Sequence, residues 1–241
     1  MTEKIKETVL KFYTSIKDIP GHRYKSWEHC HKYFLTIRNK KVGDKELDLA
    51  QLHLAFYLAS WGMYRGSSFI LQKDYMIFRD IVNIVLNKSY CMLWEIENNI
   101  GKREDLSRLF FTIYNEIENK LRKLKGDIKN HPDLFDKEKK YIKSEHISYT
   151  LITKILLGTV GCIPAYDRLF KKGLYNQPFI KKGFNPKRSF AQLLDFYIDD
   201  KNKREIDDLR INLNNYTIMK IIDMYFWQIG WESEKSEYHK R

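Results

Sequence analysis

The sequence predicts an all-α protein that folds as a single globular domain of about nine to eleven helices. Every long apolar pattern repeats at helical spacing, and no stretch of five or more residues alternates as a strand would. The 241 residues are 43% hydrophobic and 15% aromatic, which suffices for a substantial core. The most polar stretch, residues 126–143, is expected to be a surface connection, and it could join two helical halves, residues 1–125 and 144–231.

Two helices are predicted in the N-terminal region. The first spans residues 2–18 and ends before Pro20, and the second spans residues 26–37. In the second helix only His31 is spaced to share a face with Glu28, as two metal ligands would. An aromatic helix face with polar tips explains the same residues, so no metal site is predicted.

The most apolar predicted helix spans residues 46–64. Because apolar residues occupy nearly its whole circumference, we expect residues 49–61 to be the buried centre of the fold. Its apolar residues include Leu52, Phe56 and Leu58. His53 lies inside this pattern and is interpreted as a hydrogen-bonded core residue rather than as a ligand or base.

Five further helical regions follow from the same periodicity. They are residues 75–86, 90–100, 105–124, 189–199 and 205–231. Ser189 is expected to cap the fourth of these, and the polar tail from Glu232 is expected to be frayed.

The best candidate for a functional site is the region of residues 150–169. Its apolar stripe predicts a helix that ends near Gly158, and Gly161 closes the turn that follows. Pro164 could occupy the first position of the next helix, which would place Asp167 and Arg168 in its first turns. Such a corner directs backbone N–H groups outward and favours an anion, although a plain helix–turn–helix corner would have the same sequence.

A second candidate anion site follows Trp61 and Tyr64 at the end of the most apolar helix. Gly66 could supply a left-handed cap, and Ser67 or Ser68 could cap a helix that starts at Phe69. Arg65 would then lie beside exposed amides, or it would only neutralise a helix C-terminus. We expect both candidate sites to meet in one cleft, lined by Lys154, Tyr166, Asp167 and Arg168 on one side and by residues 61–68 on the other.

The charge of the chain favours a polyanionic partner. Lys and Arg number 43 against 31 Asp and Glu, which leaves a net charge of +12. Residues 171–188 are basic and contain three interleaved aromatic residues, so they could follow a phosphate backbone and stack on bases. A loop anchored to the core by its aromatic residues would look the same. Weak, salt-sensitive binding of nucleic acid is therefore predicted.

Residues 146–170 resemble the helix–hairpin–helix DNA glycosylases and their glycosylase-like relatives. The resemblance rests on Lys154, the glycine turn and the sequence Pro164-Ala165-Tyr166-Asp167. It implies an all-helical fold, a hairpin at Gly158 and Gly161 that holds DNA phosphate, Lys154 as nucleophile, and Asp167 stabilising positive charge at the sugar of a flipped nucleotide.

Within that resemblance, three aromatic residues would supply the stacking walls: Trp61, Tyr64 and Tyr166. Two other functions remain open at this point. One is a non-catalytic helical module that binds a protein or nucleic-acid partner. The other is a nuclease or toxin-like effector that would use His146 and Asp167.

Several classes of function have no support in the sequence. Phosphate-binding GxxxxGK[ST], dinucleotide GxGxxG, zinc HExxH and nucleophile GxSxG motifs are absent, so no cofactor is predicted. Three widely spaced cysteines suggest neither disulfides nor a zinc site. Because the N-terminus reads as an acid-containing amphipathic helix and no apolar run could span a membrane, we expect a cytoplasmic protein. The abundance of Lys, Ile, Asn and Tyr is typical of an AT-rich bacterial genome.

Overall fold

A computed structural model describes residues 4–65, 68–71, 73–130, 146–175, 185–213 and 216–238. In this part of the chain the fold is all-α, with ten α-helices of seven or more residues, one single-turn helix and no strand. The helices are α1 (Ile5–Lys17), α2 (Ser26–Ile37), α3 (Asp44–Ser60), α4 (Arg79–Val85), the single turn α5 (Ile96–Asn99), α6 (Arg103–Lys129), α7 (Tyr149–Gly158), α8 (Arg168–Tyr175), α9 (Pro186–Ile198), α10 (Asp200–Asn212) and α11 (Ile218–Tyr238). The predicted fold class is confirmed.

Short 3-10 helices connect several of these elements. They span Arg23–Lys25, Tyr75–Phe78, Lys88–Glu95 and Ile100–Lys102. The predicted helices 75–86 and 90–100 are therefore each a 3-10 turn followed by a short α-helix. No described helix is long and apolar enough to cross a membrane.

Helix α3 is not the buried centre that its composition predicts. Leu58 is fully buried, but the side chains of Leu52 and Phe56 are 46% and 59% exposed. The neighbours of α3 are α2, α4, α7 and the 3-10 helix Tyr75–Phe78, and they bury Leu47, Leu54 and Leu58 but leave Leu52 and Phe56 uncovered. His53 is half-buried and stacks on Tyr33 with 4.4 Å between ring centroids, so its prediction as a hydrogen-bonded core residue is also wrong.

The core is instead centred on α7 and α11. Every residue from Leu151 to Gly158 is buried, and so is every residue from Ile218 to Trp227. Helix α11 contacts α1 as well as α8 and α10, so the first and last helices of the fold pack together. This arrangement brings the end of α3, the α7–α8 corner and the start of α11 to one region of the molecule.

The crossing of α8 and α11 depends on two glycines. A Cβ atom on Gly173 would lie 1.8 Å from the carbonyl oxygen of Phe226, and one on Gly230 would lie 2.0 Å from that of Leu169. Because only hydrogen atoms fit in these gaps, the two backbones approach closely enough to hold α8 rigidly on α11.

Helix boundaries differ from the predicted ones where packing continues past the apolar pattern. Helix α6 extends to Lys129 because Leu124 and Ile128 still pack on the core. The connection predicted from residue 126 therefore begins later, and residues 131–145 lie outside the described residues. Helix α11 continues to Tyr238, so the tail predicted to fray from Glu232 is helical as far as Tyr238.

Two predicted caps are also corrected. Helix α9 begins at Pro186, and the side chain of Asn185 accepts a hydrogen bond from the Lys187 N–H. Ser189 is buried inside the first turn and does not cap the helix. Residues 68–71 form a turn, so the helix predicted from Phe69 is absent there.

Candidate functional site

The two glycines of the α7–α8 corner serve packing. A Cβ atom on Gly158 would lie 2.4 Å from the ring of Tyr57. Gly161 has a φ of +72°, and its N–H donates to the Leu156 carbonyl at 2.7 Å. A Cβ atom there would lie 2.7 Å from Thr217. Both glycines are buried, so neither is placed to hold a ligand phosphate.

The start of α8 differs from the prediction. The helix begins at Arg168 rather than Pro164, and Asp167 is its cap, since its Oδ1 accepts the Phe170 N–H at 3.0 Å. The residues before it are held in a non-helical path by other bonds: the Ala165 N–H donates to Asp223 Oδ1 at 2.9 Å, and the Tyr166 N–H donates to a threonine hydroxyl. Because the N–H groups of Ala165 and Tyr166 donate inside the protein, they do not point outward to an anion as predicted.

The segment after α3 brings Arg65 to the same region. Gly62 has a φ of +69° and supplies the left-handed turn that the sequence assigned to Gly66. The guanidinium of Arg65 folds over Gly62, since a Cβ atom on Gly62 would be 3.3 Å from the Arg65 Cζ. Gly66 and Ser67 lie outside the described residues.

A cleft of about 960 Å³ lies where these segments meet. Six of the residues predicted from the sequence line it: Trp61, Arg65, Ser68, Lys154, Asp167 and Arg168. The structure thus brings the region after α3 and the α7–α8 corner together, as expected. We call this space the Lys154 cleft.

Two predicted stacking residues do not line the Lys154 cleft. Tyr166 is buried, and its hydroxyl pairs with the hydroxyl of Ser189. The backbone carbonyl of Tyr166 accepts from Thr150 Oγ1 at 2.8 Å, so this residue ties the corner to the core. Tyr64 is half-buried with its hydroxyl enclosed away from the cleft. Trp61 alone of the three predicted aromatic residues forms part of the wall.

The lining of the Lys154 cleft is strongly cationic. It contains six lysine or arginine side chains and one carboxylate, that of Asp167. The cations are Arg23, Arg65, Lys125, Lys154, Arg168 and Lys171. Arg168 is paired with Glu234 at the surface, whereas Arg23, Arg65 and Lys171 have no ion-pair partner in the part of the chain that the structure describes. Charge of one sign on concave walls raises the local concentration of an oppositely charged ligand.

Lys154 lies at the floor of the cleft and is almost completely buried. Its Nζ donates to the carbonyl oxygen of Trp61 at 3.2 Å, lies 3.9 Å from Asp167 Oδ2, and is 4.9 Å from the centre of the Trp61 ring. Burial lowers the pKa of Lys154, and the positive charges of Arg65 and Lys220 act in the same direction. The carboxylates of Asp167 and Asp223 oppose this effect.

Sequence reasoning missed the buried ion pair of Lys220 and Asp223 on α11. Their Nζ and Oδ2 atoms are 3.0 Å apart, and both side chains are almost fully buried. A signal was present, because a lysine and an aspartate one turn apart interrupt an otherwise apolar stretch of α11. Two cations of the cleft, Arg23 and Lys125, were also missed because they lie in unrelated segments. Lys171 is the first residue of the basic stretch 171–188 predicted to bind phosphates, of which residues 176–184 lie outside the described residues.

The remaining candidate residues from the sequence are His146, Glu28 and His31. His146 lines the Lys154 cleft together with Asp167. Glu28 and His31 do not converge: Glu28 accepts a hydrogen bond from Tyr216, and His31 Nδ1 donates to the Thr159 carbonyl at 2.7 Å. No group of three or more potential metal ligands occurs among the described residues.

Comparison with known proteins yields no relative. No protein-family model, no curated protein and no solved structure matches the chain.

Proposed function

We propose that the Lys154 cleft binds nucleic acid through its phosphates. The observation that carries this proposal is the set of six lysine and arginine side chains with one carboxylate in a single concavity, of which Arg23, Arg65 and Lys171 have no ion-pair partner among the described residues. Phosphodiesters are the ligands that such a lining attracts, and neutralising them releases counterions. A volume of 960 Å³ is at the upper end of ordinary ligand sites, which suits a nucleotide unit better than a single ion.

The reaction that we propose for the cleft is of the DNA glycosylase type, at the sugar of an extruded nucleotide. Lys154 is the nucleophile: its neutral amine bonds to the sugar carbon that carries the base, the bond from that carbon to the base breaks, and the base leaves with the proton that the amine loses. A neutral amine requires a pKa below the usual value, and burial acts in that direction. Asp167 is the carboxylate that stabilises positive charge on the sugar and on the lysine, since its Oδ2 lies 3.9 Å from the amine. Trp61 forms the wall against which an unpaired base can stack.

Binding can be tested by fluorescence anisotropy with a labelled oligonucleotide at low and moderate salt. We expect Arg65→Gln to weaken binding and to reduce the slope of log affinity against log salt by about one. Arg204→Gln is the matched control, because Arg204 is exposed on α10 and bonds only to a carbonyl of its own helix. No binding at low salt, or equal losses in the two variants, would contradict the proposal.

The lysine step can be tested by borohydride trapping on an oligonucleotide with one abasic site. The Lys154 amine adds to the sugar aldehyde, a proton moves from nitrogen to oxygen, water leaves, and borohydride reduces the resulting imine to a stable cross-link. We expect the cross-link in the natural protein, none in Lys154→Arg, which keeps the charge, and an undiminished yield in Lys201→Arg on exposed α10. Binding without any cross-link would favour the non-catalytic alternative.

A further inference from the structure

Lys220 and Asp223 form an ion pair inside the apolar core of the fold. They lie in the first two turns of α11, which starts after Thr217. Their charged atoms are 3.0 Å apart, and each residue is almost fully buried. Desolvation of a buried pair cancels most of its attraction, so the attraction between the two charges by itself adds little stability.

The contacts of this pair lead to the Lys154 cleft. Asp223 Oδ1 accepts the Ala165 N–H at 2.9 Å, and Ala165 lies two residues before the helix cap Asp167. Asp223 therefore holds the segment that delivers Asp167 to the cleft floor. With Oδ2 on Lys220 and Oδ1 on the backbone, the carboxylate joins α11 to the α7–α8 corner.

The ammonium groups of Lys220 and Lys154 share one aromatic side chain. Lys220 Nζ is 5.8 Å from the centre of the Trp61 ring and 5.2 Å from that of Trp27, while Lys154 Nζ is 4.9 Å from the Trp61 ring. Two positive charges on one indole repel each other, and the two carboxylates beside them offset that repulsion.

The charges that act on Lys154 come from several elements. Asp167 caps α8, Asp223 and Lys220 lie on α11, and Arg65 follows α3. The phenol of Tyr57 on α3 stays protonated because burial raises its pKa.

On α2, the thiol of Cys30 and the imidazole of His31 also stay neutral at pH 7. Burial raises the pKa of Cys30 and lowers that of His31 to about 4. The balance at Lys154 is therefore set by two carboxylates and two cations.

We propose that Lys220 and Asp223 are positioning residues that hold Asp167 against Lys154 and set the protonation of the Lys154 amine. This proposal rests on the proposed function, because tuning the Lys154 amine matters only if Lys154 is the reactive group of the cleft. The negative charge of Asp223 favours the ammonium form of Lys154, and the positive charge of Lys220 favours the neutral amine.

The two charges predict opposite effects when each is removed. Asp223→Asn keeps an oxygen for the Ala165 N–H but loses the negative charge, so the titration midpoint of Lys154 falls. Lys220→Gln loses the positive charge, so the midpoint rises. A loosened site would admit water, which raises the midpoint of a buried lysine. A fall in Asp223→Asn is therefore a result that damage to the fold does not produce.

The test is an NMR pH titration of the full chain with 13C-labelled lysine side chains, in which Lys154→Arg identifies the Lys154 signal. We expect midpoint changes of about half a pH unit or more, downward in Asp223→Asn and upward in Lys220→Gln. Lys201→Gln, on the exposed face of α10, should leave the midpoint unchanged. Unchanged midpoints, or changes of the same sign in both variants, would overturn the proposal.

A folding defect in Asp223→Asn does not remove the test. The double variant Lys220→Gln/Asp223→Asn has no buried charge at the pair, and its midpoint is compared with that of Lys220→Gln alone. A lower midpoint in the double variant supports the proposal, and an equal or higher one overturns it. No nucleic acid is present in these titrations, so absent binding or cross-linking refutes the proposed function without affecting this result.

Discussion

Acid sensitivity of the fold should depend on His31. This residue is buried on α2 beside Trp27, with 4.9 Å between the stacked ring centroids, and its Nδ1 donates to the Thr159 carbonyl. Burial lowers the pKa of His31 from 6.5 to about 4; the Thr159 contact opposes this effect and the charge of Arg38 adds to it. Below pH 6.5 the unfolded chain therefore binds a proton that the folded protein does not.

The stability contributed by neutral His31 is complete above pH 6.5 and is lost as the pH falls towards 4. At about 1.4 kcal/mol per pKa unit, the whole loss is about 3 kcal/mol, of which about 2 kcal/mol has occurred by pH 5. Urea unfolding at pH 8 and pH 5 measures this difference in the free energy of unfolding. His31→Gln should lose about 2 kcal/mol less than the natural protein over that interval.

His29→Gln is the matched control, because His29 lies on the same helix and is exposed. It should lose as much stability between pH 8 and pH 5 as the natural protein does. An equal loss in His31→Gln would refute the reasoning, since it would mean that His31 accepts a proton in the folded state at ordinary cost.

Three other pairs of substitutions separate packing from chemistry. Gly173→Ala should lower the free energy of unfolding by about 3 kcal/mol or more, because its Cβ would lie 1.8 Å from a backbone oxygen. Gly126→Ala should raise the free energy of unfolding by about 1 kcal/mol, because Gly126 lies inside α6 and open space surrounds the position of its Cβ. In urea unfolding, Phe56→Ala should lower the free energy of unfolding by less than about 1 kcal/mol, because Phe56 is exposed. Leu54→Ala should lower it by about 2 to 5 kcal/mol, because Leu54 is fully buried. Equal losses would mean that α3 is covered on both sides. Asp167→Asn should keep the α8 cap and unfold nearly as the natural protein does, but it should form no borohydride cross-link. Asp167→Ala should form no cross-link either, and its free energy of unfolding should be lower by about 1 kcal/mol because the cap is lost. Full cross-linking by Asp167→Asn would mean that Asp167 is purely structural.

Periodicity predicted the helices but not which side of each is covered. For α1 the apolar stripe and the buried face coincide, from Ile5 to Ile16. In α3 apolar residues surround the helix, so the sequence could not indicate that Leu52 and Phe56 face solvent. Coverage depends on how many neighbours pack on a helix, and that number follows from the tertiary arrangement.

The site was predictable where local chemistry marked it. Lys154 interrupts an apolar helix, Asp167 lies in the first turn of a helix predicted to begin at Pro164, and Arg65 follows a predicted helix end; each of these is a pattern over a few residues. The exact helix start was wrong because hydrogen bonds from distant residues, such as that to Asp223, hold residues 164–166 out of the helix. Partners that lie about 60 residues further along the chain leave no local pattern.

The same contacts explain why the cleft can carry so much positive charge without weakening the fold. Arg23, Arg65 and Lys171 lie at its walls, where the ammonium and guanidinium groups remain hydrated and repel each other only weakly. The expensive charge is Lys154, and the carbonyl of Trp61 together with Asp167 stabilises it. Since only this amine of the cleft is desolvated, a bound phosphate would meet hydrated cations at the walls and one reactive amine at the floor. Neutralising Arg23 or Lys171, which are not among the charges that act on Lys154, should reduce affinity and leave the charge state of Lys154 almost unchanged, whereas neutralising Arg65 should also raise the pKa of Lys154.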